Sequence, residues 1–145
     1  MTSARREQLV VEATHATKGL AVTARSHGFT IDEAEKYGGH DAGANPVEHM
    51  LAGLAAASLV VLRILGQPDI AAAARLTISA TLNVDRVMGV DDGAAFDLIT
   101  LDWEVEDEDH AARLRRVLPD LAARRPGQAL VDGAAVVVEE ITARS

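Results

Sequence analysis

The stretch Tyr37-Gly38-Gly39-His40-Asp41-Ala42-Gly43-Ala44-Asn45-Pro46-Val47-Glu48-His49-Met50-Leu51-Ala52-Gly53-Leu54-Ala55-Ala56-Ala57 changes character half-way, and that change decides the fold. Its first part sets Gly38, Gly39 and Gly43 among Asp, His and Asn, the composition of a loop that needs backbone angles closed to other residues. Asn45 is a strong helix N-cap, Pro46 suits the first helical position, and Glu48 can meet the positive end of the helix dipole. Downstream, Met50, Leu51, Leu54, Ala55, Ser58, Leu59 and Leu62 keep helical spacing, while Ala52, Gly53, Ala56 and Ala57 leave the other faces small. Such a helix is surrounded by protein. Gly66 and Pro68 supply its stop signals. The apolar run from Met50 to Leu62 is shorter than the ~20 residues of a bilayer span, so it reads as a buried helix.

Upstream, Gln8 to Thr14 and Leu20 to Ala24 carry apolar and β-branched residues about a turn at Lys18-Gly19. Gly28 closes the second strand in this reading, and Phe29-Thr30-Ile31-Asp32 alternates as a third, giving an antiparallel meander. Downstream, Arg75 to Met88 and Phe96 to Val105 form a long hairpin turned at Val90-Asp91-Asp92-Gly93. Asp107 or Asp109 caps a helix with Leu114, Val117, Leu118 and Leu121 on one stripe, where Pro119 predicts a kink. The valine-rich run from Ala134 to Ile141 is a last strand. This order is α+β rather than alternating βαβ. A helix apolar on all sides exceeds what one small sheet covers, which predicts a homodimer with sheets around central helices from both chains.

The 145 residues fit one domain spanning 1–145, and the formal net charge of −8 disfavours nucleic-acid phosphates and anionic membranes as partners. No basic-then-apolar segment precedes Glu12, from which a cytoplasmic location is expected. The chain has no cysteine, which excludes disulfides, thiolate metal sites and thiol nucleophiles on chemical grounds.

The segment from Tyr37 to Ala57 resembles the pattern of the OsmC/Ohr family of organic hydroperoxide reductases: a Gly-Gly loop, Asn-Pro-Glu, then a small-residue helix ending in cysteine. Arg125-Pro126-Gly127-Gln128, with Gly133 and a valine-rich strand behind it, looks like that family's Cys-Pro-x-Ser segment. The resemblance implies an intertwined dimer and a two-cysteine reduction of peroxides, assisted by an arginine and a glutamate. Carried over, the peroxidatic position falls on Ala57, the resolving position on Arg125 and the glutamate on Val47, leaving Glu48 about 100° around the helix. The arginine would fall near Thr17 or Lys18, with Arg25 more distant. Peroxide reduction by a protein thiol needs a thiolate that passes through sulfenic acid, and Ala57 has only a methyl group. The expectation is an OsmC-like protein that is not a thiol peroxidase, needs no cofactor, and binds a small hydrophobic or anionic molecule in a cavity at the dimer interface. Glu48, Leu51, Leu54, Ala57, Ser58 and Arg125 are the candidate ligand-binding residues.

Other groups invite chemistry but have plainer readings. His40, Asp41 and His49 could offer nitrogen and oxygen to a metal, although their spacing matches no strong motif. Ser58 is better explained by a bond to the preceding turn than as a nucleophile. Arg125 could bind an anionic ligand or pair with Glu48. Trp103 and Phe96 read as core. Two alternatives stay open: an enzyme using His40, His49 or Glu48, and a purely structural protein.

Overall fold

The computed structural model describes residues 5–128, 132 and 136–144. Two compact units, Met1–Met50 and Leu51–Ser145, divide the chain.

In the first unit, β1 (Glu12–His15), β2 (Leu20–Ala24) and β3 (His27–Ile31) form an antiparallel meander. Its second turn departs from the sequence reading, because Gly28 lies inside β3 opposite Thr23 and the chain reverses at Arg25, whose φ is 56°. The segment 5–11 precedes β1 without joining it, so the predicted start at Gln8 was early. After β3 the chain wraps around one carboxylate. Asp32 accepts hydrogen bonds from the backbone N–H of Glu33 (2.9 Å), His40 (2.9 Å) and Ala42 (3.1 Å), and its own N–H donates to Ala44 O. The glycines serve this wrapping. A Cβ on Gly39 would stand 1.9 Å from the Glu33 carbonyl oxygen, and one on Gly43 would stand 2.3 Å from that of Thr30.

The helix α1 (Pro46–Ile64) starts where the cap signals place it. Asn45 and Glu48 form a reciprocal capping box, each backbone N–H donating to the other's side-chain oxygen at 2.8 Å. By length and composition alone, α1 (19 residues, with an 18-residue window of mean hydropathy 1.6) passes the test for a bilayer span, as the core helices of globular domains also can. Its residues Leu54, Ser58, Val61 and Leu62 are buried, yet Val60 and Ile64 are exposed. Full enclosure of α1, expected from its composition, is therefore not reached within one chain.

In the second unit, α2 (Pro68–Ala73) leads to a sheet of β4 (Arg75–Leu82), β5 (Phe96–Val105) and β6 (Val136–Ala143). Strand β4 ends six residues before the predicted Met88, because Asn83 caps the short helix α3 (Val84–Val87), accepting from the N–H of Arg86. Between β5 and β6 runs α4 (Glu108–Arg124), which continues as helix through Pro119. The strands pair in parallel, from Leu98↔Val136 to Val105↔Ala143. This refines the expected antiparallel sheets: a helix between two strands returns the chain to the edge it left, and the second strand enters in the same direction. The predicted strand start at Ala134 lies outside the described residues. Alternation along β5 buries Ile99, Leu101, Trp103 and Val105, and Trp103 and Val105 join Leu62, Ile70, Leu114 and Leu121 in one core. Phe96 is buried as well.

Gly39→Ala or Gly43→Ala is expected to lower stability by about 1–3 kcal/mol, since each forces backbone apart. Urea unfolding checks this against Gly38→Ala, where a Cβ meets nothing within 4 Å and only the positive φ opposes it.

Candidate functional site

The site centres on Arg125, the residue that ends α4. Pro126 disfavours helical angles in the residue before it, and Arg125 accordingly turns to φ −66°, ψ 116° while its N–H still bonds Leu121 O. Its side chain is turned inward and the residue is 3% exposed. One guanidinium nitrogen, Nη1, donates to Ser58 Oγ at 3.0 Å and also binds Glu139 Oε1 of β6 in a short ion pair. Nε reaches Gln128 Oε1 at 2.9 Å, and Nη2 binds the same oxygen. Ser58 is fully buried and donates in turn to Leu54 O at 2.8 Å, the bond to the preceding turn that its sequence position suggested. Gly127 permits close approach here, since a Cβ on it would lie 3.2 Å from Leu54 Cδ1.

Of the six candidate ligand residues, the structure joins Ser58 and Arg125 directly and brings Leu54 into the same cluster. Leu51 and Ala57 lie nearby on α1 and are half-buried. Glu48 is engaged elsewhere, closing the cap on Asn45, and is exposed. The proposed Arg125–Glu48 pair is thus replaced by Arg125–Glu139. The sequence held a signal for Glu139 that the reading missed. Strand alternation sets Glu139 beside Leu101 and Ile141 beside Trp103, on the core side, and an acid there requires a cation. The surface recess that Arg125 borders is lined by Arg115, Leu118, Pro119 and Ala122 of α4 and by Gln128 and Glu139.

The suggested metal trio is not assembled. His40 lies 3.8 Å from Asp32 Oδ2, Asp41 donates its N–H to Glu33 O, and His49 stacks on Phe29 with ring centroids 5.2 Å apart while its Nδ1 meets Asn45 O. Among the described residues, the group with metal-ligand proximity is Asp107, Asp109 and His110 at the start of α4. It is a helix cap. Asp107 accepts from His110 N at 2.8 Å and contacts His110 Nδ1 at 2.6 Å, while His110 Nε2 lies 3.5 Å from Asp69 of α2. Those bonds from His110 hold the Asp107 carboxyl below its ordinary range, and the bond to Asp107 raises the imidazole against partial burial.

Solved structures share this architecture. An OsmC-like protein from Mycoplasma pneumoniae aligns over 97% of this chain and 100% of its own, with TM-score 0.75 and 16% identity. The fold is that of OsmC. An organic hydroperoxide resistance protein OsmC from Legionella pneumophila matches over 96% of this chain and 99% of its own, with TM-score 0.69 and 14% identity. A Vibrio cholerae organic hydroperoxide resistance protein, solved with captopril in one of its active sites, matches at TM-score 0.58 and 18% identity over 97% of this chain and 95% of its own. No protein-family model and no curated protein matches the sequence. At these identities the likeness gives the OsmC architecture and leaves the chemistry to the residues present.

Two outcomes are expected. Arg125→Ala leaves Glu139 facing the core without its cation and lowers stability by about 3–5 kcal/mol, whereas Arg125→Met with Glu139→Leu recovers most of that loss in urea unfolding. The Asp107–His110 cap stabilises most between the ordinary unfolded values of ~3.9 and ~6.5. Its contribution fades as pH rises through the raised His110 value and as pH falls through the depressed Asp107 value, so His110→Gln should flatten the alkaline limb of a stability–pH curve.

Proposed function

We propose that this chain is a non-peroxidatic protein of the OsmC fold that binds a small apolar molecule against the α1 face formed by Leu51, Leu54 and Ala57. One observation carries the reading: at the position where the resemblance calls for a resolving thiol stands Arg125, its charge answered by Glu139 and its donors taken by Ser58 and Gln128. With that guanidinium engaged, an anionic ligand has little unpaired positive charge to bind, and an apolar one is favoured. The captopril-bound Vibrio cholerae neighbour offers a precedent for a small molecule held by this architecture. In the same reading two copies associate through α1, whose Val60 and Ile64 are 44% and 68% exposed. The ligand cavity is completed at that interface.

The test combines two assays on the purified chain. Cumene hydroperoxide with a dithiol reductant should be consumed no faster than in buffer; catalytic turnover would overturn the proposal. A thermal-shift screen with n-decanol and related apolar compounds should raise Tm by mass action, and Ala57→Phe should abolish the shift by filling the face. Sedimentation at micromolar concentration should give a dimer, which Val60→Asp converts to monomer.

A further inference from the structure

The geometry points to a second binding site, for a small organic cation: the cleft beside Asp32 in the first unit takes a primary ammonium carried on a short apolar chain. The cleft holds about 320 Å³ and presents Asp32, Glu33, Tyr37 and His40, with Leu20, Ile31 and Pro46 along its apolar side. This site is built from residues other than those of the Arg125 cluster and does not depend on the function proposed above.

Charge balance is the first ground. Asp32 is 7% exposed, and among the described residues no lysine or arginine pairs with it; its ion-pair neighbour is the His40 imidazole, Nδ1 at 3.8 Å. Burial alone would push this carboxyl up, but hydrogen bonds from the backbone of Ala42, His40 and Glu33 outweigh it and hold the group ionised below its usual range. Those donors satisfy lone pairs without supplying net positive charge. A buried anion therefore faces a cleft whose apolar wall focuses its field, and Glu33 lines the same space.

Access is the second ground. Oδ2 already accepts two N–H groups and Oδ1 only one, so Oδ1 retains an acceptor direction. Gly39 packs close beside that oxygen, where a Cβ would stand 2.9 Å from it. Tyr37, at the rim, has a ring suited to a cation, and Lys36 already sets its ammonium 4.9 Å from the ring centroid. Anions are repelled by the Asp32 carboxylate. A bare metal ion is disfavoured because, among the described residues, the group of three converging ligand atoms lies at Asp107, Asp109 and His110 rather than here.

The test is isothermal titration of the full chain with n-hexylamine at low ionic strength, against hexan-1-ol and hexanoate of the same length. The amine should bind about tenfold more tightly than the alcohol, with no heat from hexanoate. Because Asp32→Asn also removes the anchor of its loop, the rim positions decide: Glu33→Gln and Tyr37→Leu should each weaken the amine about threefold. No amine binding at millimolar concentration, equal affinity for the alcohol, or an affinity unchanged in both variants overturns the proposal.

Discussion

A guanidinium inside a protein must have both its charge and its donors answered, and in the second unit this requirement ties three elements together. Arg125 ends α4, Ser58 belongs to α1 and Glu139 to β6, so a single side chain bonds two helices and a strand. The core of leucine, isoleucine and Trp103 supplies most of the burial but tolerates small shifts in packing. The polar cluster tolerates fewer. Loss of one member leaves another buried without a partner, which costs more than loss of a contact.

The first unit handles a buried charge in the opposite manner. Asp32 is met by three backbone N–H groups and not by a counter-charge, and the loop must therefore follow a path that brings those amides together. Gly39 and Gly43 make that path sterically open. The glycine-rich segment, read from its sequence as a loop needing special backbone angles, is a cradle built around one carboxylate.

Much of this was legible in the sequence where local chemistry is decisive. Asn45, Pro46 and Glu48 fixed the start of α1, and alternation from Phe96 to Val105 gave β5 with its observed ends. The α+β class and the OsmC architecture follow from the same segments. Less was legible where the answer depends on residues distant in sequence. Glu139 has meaning only opposite Arg125, and Asp32 only with amides as far as Ala42. Strand β4 was read too long because Val84 continues the alternation, while the capping by Asn83 competes with it and wins. Pro119 lies inside α4, which runs on to Arg124.

The parallel pairing of β6 has a consequence for synthesis. Glu139 is made after Arg125, on the last strand among the described residues. While the chain emerges from the ribosome, burying the arginine before its acid arrives would leave an unpaired charge beside Ser58, which favours keeping it hydrated until then. Assembly around Arg125 therefore waits on β6, and a chain cut short before Glu139 carries a cation without the acid that answers it.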